Sequence, residues 1–312
     1  MKKAKIVFFG TPEFASNILS GLIEHGYNII AVVTQPDKEV GRKRILTPTP
    51  VKEVAIKNNI AVYQPTKLRN DFEFLKNMDI DLIISAAYGQ ILPQEVLDMP
   101  KINAINVHGS LLPKYRGGAP IQRAIMNGDD KTGITIIKMV DKMDAGVMYA
   151  KKEIAIDGNI NTTDLFIKLS DVGKELLLDV IDDIIDNKLV GEPQNEDEVS
   201  FAFNIKREEE KIDFDNKVLD VHNKVRGLSL NPGAYCYLND KMLKIYKTTL
   251  TDINDNNTIG SIKIEGKNRL LVKCSDGYLE LLEIQPEGKQ KMDVKSFLNG
   301  VDKQKLEKEI LR

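Results

Sequence analysis

The sequence has 312 residues, of which 42% are hydrophobic and 29% charged, and its formal net charge is −2. This composition is typical of a soluble globular protein, and the length predicts two domains. No apolar stretch approaches the ~20 residues that a membrane span requires, and the apolar run after the N-terminal lysines is too short for a signal peptide. We therefore expect a cytoplasmic protein that does not enter a membrane.

Charge and cysteine content restrict the possible partners only weakly. Residues 151–205 contain 13 Asp and Glu against 5 Lys and Arg, so the rest of the chain carries a net charge of +6. This distribution leaves room for a local basic surface, although the overall charge does not by itself indicate a nucleic-acid partner. Cys236 and Cys274 match no metal-ligand spacing, and we expect them to be free thiols in a core.

Short apolar strands alternate with amphipathic helices over the first half of the chain. Strands are predicted at residues 5–9, 29–34, 60–63, 81–86 and 104–107, and helices at 12–25, 51–58, 71–77, 94–97 and 121–126. This alternation predicts an α/β fold with a Rossmann-like, doubly wound parallel sheet. The Gly-x-Gly-x-x-Gly motif is absent, since only Gly10 follows the first strand, so NAD(P) binding is not expected.

A long segment without a helix or strand pattern follows the second predicted strand. It spans residues 35–50 and contains the basic run Gly41-Arg42-Lys43-Arg44. Structureless connections beyond about 12–15 residues are usually functional or disordered. This one would project from the carboxyl edge of the sheet, where the ligand sites of α/β proteins lie. A solvated charge run on a flexible tip explains the same residues equally well.

The pattern changes in the second half of the chain. Strands at 132–139 and 147–156, a long helix at 162–189 and a polar, unpatterned linker at 190–205 are predicted first, followed by a helix at 218–226 and short strands at 234–238, 243–250, 261–264, 270–274 and 278–284. The closely spaced strands predict a small OB-like β-barrel, a fold that often binds nucleic acid. The expected domains are a catalytic domain at 1–189 and a C-terminal domain at 206–312, joined by the linker.

Three polar side chains are candidates for catalysis at the carboxyl edge of the first sheet. Asn106 and His108 lie two residues apart on a predicted strand and so point to the same side, and Asp144 lies in a later loop between strands. The amide and imidazole can donate hydrogen bonds to an oxyanion, and a carboxylate can orient the imidazole. Without a Ser or Cys elbow motif, the set favours direct attack of a substrate nucleophile on a carbonyl. A core histidine satisfied by backbone groups is the alternative.

Two motifs resemble those of a known family. The stretch from Asn106 to Gln122, with its central Gly109-Ser110-Leu111-Leu112-Pro113, is similar to the signature of the folate-dependent formyltransferases, and Asp144-Ala145-Gly146 matches the second signature of that family. Further similarity at residues 9–15, 34–37, 87–89, 231–235 and 282–289 covers both predicted domains. It indicates the branch of the family that acts on aminoacyl-tRNA.

The resemblance implies an activity and a set of site residues. The activity is transfer of a formyl group from 10-formyltetrahydrofolate, as co-substrate, to the α-amino group of methionyl initiator tRNA for translation initiation. The catalytic triad would be Asn106, His108 and Asp144, and no metal ion is expected. The folate site would consist of Ser110, Leu111, Leu112, Pro113, Gln90, Ile91, Leu92 and Val140. The expected state is a monomer.

The resemblance also assigns a role to the basic loop. In the family this segment enters the tRNA acceptor stem, so Arg42, Lys43 and Arg44 are candidate tRNA contacts. The C-terminal domain would add phosphate contacts through Lys206, Lys244 and Lys247. Two other functions stay open at this point. One is a nucleotide-sugar N-formyltransferase with the same chemistry on a sugar amine, and the other is a noncatalytic RNA-binding protein with a vestigial folate domain.

Overall fold

The computed structural model describes residues 3–41 and 43–312 of the chain. None of the described helices is long and apolar enough to cross a membrane. The described residues form two compact units, of which the first contains the chain up to Pro120, Thr132–Ile154 and Phe166–Phe203, and the second contains Ile121–Lys131, Ala155–Leu165 and Asn204–Arg312. Two short stretches of the first half of the chain belong to the second unit, so the units do not coincide with the predicted domains. The boundaries at residues 189 and 206 stay predictions.

A parallel-dominated sheet forms the centre of the first unit. The strands are β1 (Lys5–Gly10), β2 (Asn28–Val33), β3 (Lys38–Val40), β4 (Ile45–Thr47), β5 (Ala61–Tyr63), β6 (Leu82–Ala86), β7 (Asn103–His108), β8 (Lys131–Lys138) and β9 (Met148–Ala155). Seven of them form one sheet in the order β5-β2-β1-β6-β7-β8-β9. The pairs from β5 to β7 are parallel, and β8 is antiparallel to β7. The predicted Rossmann-like α/β fold is confirmed.

The helices of the first half follow the predicted amphipathic patterns. They are α1 (Glu13–Glu24), α2 (Pro50–Lys57), α3 (Glu73–Lys76), α4 (Gln94–Leu97), α5 (Pro120–Met126) and α6 (Thr162–Ile185). In α1, Phe14, Ile18 and Leu22 are buried together because side chains four residues apart share one helix face. α6 ends at Ile185 and not at residue 189 as predicted, because Asn187 adopts φ 56°, a left-handed conformation that terminates helices.

Residues 35–50 are not structureless, contrary to the prediction. β3 and β4 pair antiparallel in a small hairpin, with Val40 opposite Ile45. All side chains of these two strands are exposed. Neither strand therefore has the alternation of buried and exposed residues by which a strand is recognised in a sequence.

The second unit is built on an antiparallel sheet. Its elements are α7 (Val218–Gly227), β10 (Ala234–Leu238), β11 (Lys241–Leu250), β12 (Ile262–Glu265), β13 (Arg269–Lys273), β14 (Tyr278–Pro286), β15 (Met292–Asp293), α8 (Val294–Asn299) and α9 (Lys303–Leu306). The strand order is β10-β11-β14-β13-β12, with β15 beside β14. Leu311 N donates to Gly260 O at 2.9 Å and Tyr237 N donates to Arg312 O at 2.7 Å, so residues 311–312 join the two edges of the sheet. The closed sheet is the OB-like barrel that the sequence predicts.

Both cysteines lie in the core of the second unit. Cys236 and Cys274 are buried free thiols, as predicted. Burial raises the pKa of each thiol to about 12. Since the thiolate is the nucleophilic form of cysteine, neither residue is suited to nucleophilic catalysis at neutral pH.

Candidate functional site

Strand β7 carries Asn106 and His108 to the carboxyl end of the parallel part of the sheet. Ser85 of β6 is the register partner of Asn106, and Thr135 of β8 is the partner of His108. His108 is 5% exposed, and Asn106 is half-buried. Within the described part of the chain, the Asn106 side chain makes no hydrogen bond. Its amide is therefore available to a ligand.

The imidazole of His108 lies between two oxygen atoms. Its Nδ1 is 3.6 Å from Asp144 Oδ2, and its Nε2 is 3.0 Å from the main-chain oxygen of Tyr115. A separation of 3.6 Å is longer than a hydrogen bond, and contacts of this kind often tighten only when substrate binds. The fold thus brings together two predicted catalytic side chains that lie far apart in the sequence.

Asp144 is held through both its side chain and its main chain. The Gly117 amide donates a 2.9 Å hydrogen bond to Oδ2, the oxygen that faces His108. Gln194 Nε2 donates to the carbonyl oxygen of Asp144 at 2.7 Å and to that of Gly146 at 2.8 Å. Asp144 itself adopts φ 51°, in the left-handed region that Asp tolerates better than most residues. The carboxylate is therefore fixed before any substrate binds.

A buried arginine lies behind Gln194. Arg116 is 0% exposed, its Nε donates to Gln194 Oε1 at 3.0 Å, and its Nη2 is 2.8 Å from Glu196 Oε1. Lys142 Nζ lies 3.1 Å from the other oxygen of Glu196. Hydrogen bonds from Arg116 and then Lys142 lower the pKa of Glu196 to about 2, so this carboxylate is charged at neutral pH.

Sequence reasoning missed Gln194 and Glu196. Residues 190–205 are polar and have no helix or strand pattern, so nothing in their sequence indicates which of them contact the segment after β7. Ala202 N, for example, donates to Arg116 O at 2.8 Å. The available signal was Arg116 within the motif, since a buried guanidinium requires a carboxylate or several acceptors.

The turn after β7, predicted to bind folate, is held by its own hydrogen bonds. Ser110 is fully buried, its hydroxyl donates to the carbonyl four residues later at 2.7 Å, and its own carbonyl accepts a 2.7 Å bond from the Thr135 hydroxyl. Leu112 and Pro113 are buried, and Leu111 is half-buried. The Ser110 hydroxyl is therefore committed to the turn, and Leu111 has the most accessible side chain of the four.

The residues after β6 that were predicted to bind folate differ in accessibility. Gln90 Oε1 accepts a 2.8 Å bond from Leu68 N, and its Nε2 donates to Pro65 O at 3.2 Å. Leu92 belongs to the core at 4% exposure, whereas Ile91 is 78% exposed. Ile91 is thus the member of this group that can meet a ligand without rearrangement.

Val140, the last predicted folate residue, lies at a cavity of the first unit. The cavity has a volume of about 480 Å³ and lies between α4, the start of β7 and the end of β8. Its lining includes Asp98, Lys138 and Asp141 as well as apolar groups. This volume is within the range of small-ligand sites. The described residues contain no group of three or more His, Cys, Asp or Glu side chains arranged to hold a metal ion.

Two of the three basic tRNA-contact candidates of the first unit, Lys43 and Arg44, lie at the tip of the β3–β4 hairpin. Arg42, the best-matched candidate, lies outside the described residues. Lys43 and Arg44 are exposed, and Arg44 Nε is 2.6 Å from Glu39 Oε2. The hairpin therefore presents positive charge to solvent, with one of its cations paired.

The candidate tRNA contacts of the second unit are not equivalent. Lys206 and Lys247 are exposed. Lys244 is half-buried, and its Nζ donates to Pro232 O at 2.6 Å. An incoming phosphate would have to compete with that carbonyl for Lys244, but not for the two exposed lysines.

Comparison with known proteins places the chain in a family. Residues 4–181 match the model of the formyl transferase family, and residues 204–302 match the model of the formyl transferase C-terminal domain. The methionyl-tRNA formyltransferase of Lactobacillus johnsonii is 46% identical over 300 residues, which are 95% of each chain. That of Pediococcus pentosaceus is 49% identical over 300 residues, 95% of this chain and 94% of the other.

Solved structures show the same fold at lower identity. The sugar 3N-formyl transferase WlaRD, determined with dTDP and 5-N-formyl-THF, superposes with a TM-score of 0.68 at 21% identity, over 93% of this chain and 100% of the other. HypX from Aquifex aeolicus, in complex with tetrahydrofolic acid, gives a TM-score of 0.67 at 15% identity, over 94% of this chain and 46% of the other. The matches over nearly the whole sequence show that the chain belongs to the formyl transferase family that includes these methionyl-tRNA formyltransferases.

Proposed function

We propose that this protein transfers the formyl group of 10-formyltetrahydrofolate to the α-amino group of methionyl initiator tRNA, in the cytoplasm, for translation initiation. The observation that carries the proposal is the buried His108 facing the held carboxylate of Asp144 at 3.6 Å, within a chain 46% to 49% identical to methionyl-tRNA formyltransferases. The intact pair argues against a noncatalytic RNA-binding protein. The sugar formyl transferase matches at 21% identity, so the tRNA substrate is favoured over an amino sugar.

The first chemical step joins the amine nitrogen to the formyl carbon. The free amine attacks, and the formyl oxygen acquires a negative charge in the tetrahedral intermediate. Asn106 donates a hydrogen bond from its side-chain amide to that oxygen. His108 gives up its contact with the Tyr115 carbonyl and donates to the same oxygen. Hydrogen-bond donors directed at an oxygen stabilise the charge that develops on it, which is the largest contribution in many acyl-transfer enzymes.

The second step breaks the bond between the formyl carbon and N10 of the folate. The amine loses one proton and N10 gains one, so the products are formylmethionyl-tRNA and tetrahydrofolate. Asp144, held by the Gly117 amide, keeps His108 oriented and assists the transfer of this proton. No covalent bond to the enzyme forms at any point, which agrees with the core position of both cysteines.

The two substrates use different parts of the chain. The folate contacts the turn after β7, the 90–92 segment and the cavity beside Val140. The β3–β4 hairpin contacts the acceptor stem, and the second unit binds tRNA phosphates. We expect the protein to act as a monomer and without a metal ion. The side chains best placed for these contacts by their exposure are Leu111, Ile91, Val140, Lys43, Arg44, Lys206 and Lys247.

A comparative transfer assay tests the proposal. The purified protein is given 10-formyltetrahydrofolate with methionyl initiator tRNA, methionyl elongator tRNA or an amino-sugar nucleotide, and formylated product is measured over time. We expect the highest kcat/KM for the initiator tRNA. Preferential formylation of the amino sugar would replace the proposed substrate, and absence of transfer to all three amines would overturn the enzymatic assignment.

A further inference from the structure

One side-chain amide holds both ends of the turn that presents Asp144. Gln194 Nε2 donates to Asp144 O at 2.7 Å and to Gly146 O at 2.8 Å. We propose that Gln194 is a positioning residue, which acts through Asp144, and that Arg116 sets the orientation of Gln194. The inference rests on the proposed formyl transfer, in which Asp144 orients His108.

The turn needs such support because its backbone is strained. Asp144 adopts φ 51°, in the left-handed region, which Asp tolerates better than most residues but which is still less favourable for it than for glycine. Gly146 packs so closely on the main chain of Lys138 that no side chain fits there. The backbone at Gly146 therefore has little room to move, and a change of conformation in the turn would occur at Asp144. Relaxation there would carry the carboxylate away from the Gly117 amide and from His108.

Arg116 determines which end of the Gln194 amide faces the turn. The guanidinium is a pure donor, and its Nε lies 3.0 Å from Gln194 Oε1. The Nε2 end must then face the two carbonyl oxygens, which are acceptors. Arg116 is itself fixed by Glu196, 2.8 Å from Nη2, and is 0% exposed. A chain of contacts thus leads from a surface carboxylate to the catalytic aspartate.

Two substitutions separate donation by Gln194 from mere space filling. Gln194→Met keeps the length of the side chain and removes its polar groups. Gln194→Glu keeps an acceptor for Arg116 but places an oxygen opposite the carbonyl oxygens of Asp144 and Gly146. If Gln194 acts as a donor to the turn, both variants are impaired. If it only accompanies Arg116, Gln194→Glu behaves like the wild type, and the proposal is wrong.

Asn17 provides a matched control in the same unit. Its Nδ2 donates to Ser170 Oγ at 2.8 Å and to Asp171 Oδ1 at 2.9 Å, and its Oδ1 accepts from Lys174 Nζ at 3.2 Å. Asn17→Leu therefore removes the same number of hydrogen bonds, two donated and one accepted, from the contact between α1 and α6. We expect it to lower thermal stability without lowering kcat, whereas Gln194→Met lowers kcat.

Kinetic coupling shows whether Gln194 acts through Asp144. We expect Gln194→Met and Gln194→Glu to lower kcat about 10²-fold with little change in either KM, as for a small misplacement of a catalytic group. In an Asp144→Ala background the same changes should cost almost nothing further, because residues that act as a unit are not additive. Equal losses in both backgrounds would overturn the proposal.

A spectroscopic measurement keeps this test independent of the substrate assignment. The chain has only three histidines, so the side-chain nitrogen signals of His108 can be assigned by NMR. We expect these signals to move in both Gln194 variants toward their positions in Asp144→Asn, and to stay unchanged in Asn17→Leu. Unchanged His108 signals in the Gln194 variants would refute the proposal even if the protein formylated another amine. Shifted signals would support it in the same circumstance.

Discussion

The main-chain amide of Gly117 donates a 2.9 Å hydrogen bond to the carboxylate of Asp144. Gly117 has φ 132°, and a Cβ built on it would lie 2.6 Å from the carbonyl oxygen of Ala202. Both the backbone conformation and the available space therefore exclude a side chain at this position. The aspartate depends on a donor that only glycine can present without strain.

Gly117→Ala should impair both folding and catalysis. The new methyl group must displace either the 117 amide or the 202 carbonyl, and such strain costs about 1–3 kcal/mol of unfolding free energy. We also expect a lower kcat, because Asp144 loses its donor. Urea unfolding and formyl transfer measure the two effects. Gly158→Ala is the control, since nothing lies within 4 Å of its Cβ position. A Gly117→Ala protein with wild-type stability and rate would contradict this account.

Removal of each proposed oxyanion donor should slow the chemical step. Single-turnover formyl transfer is expected to fall about 10²–10³-fold in Asn106→Ala and in His108→Ala, the usual effect of losing one such donor. Asp144→Ala should fall into the same range because His108 loses its orientation. Circular dichroism would verify that each variant is folded. Rates near the wild-type value in all three would show that the site lies elsewhere.

The pKa of Glu196 predicts an acid-sensitive contribution to stability. Hydrogen bonds from Arg116 and Lys142 lower that pKa from 4.5 to about 2 in the folded protein. The contribution is therefore complete above the unfolded pKa and is lost as the pH falls from about 4.5 to about 2. In this window the wild type should lose unfolding free energy more steeply than Glu196→Gln, as measured by urea titrations at several pH values.

Glu198→Gln is the control for that experiment, because the hydrogen-bond partner of Glu198 is the neutral Asn195 at 3.2 Å. We expect the unfolding free energy of Glu198→Gln to fall with decreasing pH as steeply as that of the wild type. Since the Glu196 side chain is 62% exposed, solvent screens the pair and the difference will be modest. If the unfolding free energies of Glu196→Gln and the wild type fell equally steeply with decreasing pH, the ion pair would not stabilise the fold.

Lysine exposure predicts different roles in tRNA binding. Lys206→Ala and Lys247→Ala should each weaken initiator tRNA binding and reduce the slope of log affinity against log salt by about 1, as expected for one lost phosphate contact. Lys244→Ala should change the slope less, because its Nζ donates to Pro232 O at 2.6 Å. Binding titrations at several salt concentrations measure these slopes. The reverse ranking would place the phosphates on the Lys244 side of the barrel.

The sequence predicted those parts of the fold that have a local pattern. The strand that carries Asn106 and His108 was recognisable because it is a short apolar run interrupted with period two. The β3–β4 hairpin has no buried face, so nothing in its sequence distinguishes it from a loop. Gln194 escaped notice for a related reason. A polar segment has the same composition whether it is solvated or hydrogen-bonded to a distant turn. Only the structure shows that Gln194 bonds to the turn at Asp144.

The division of the chain into two units has a consequence for dissecting the protein. Ala155–Leu165 belongs to the second unit, and there the Thr162 hydroxyl donates to Gly227 O at 2.5 Å. A protease that cut after Phe203 would therefore sever the backbone without liberating a whole barrel unit, because two of its segments would stay on the other fragment. A shortened protein that keeps the second unit whole therefore needs residues 121–131 and 155–165 in addition to residues 204–312.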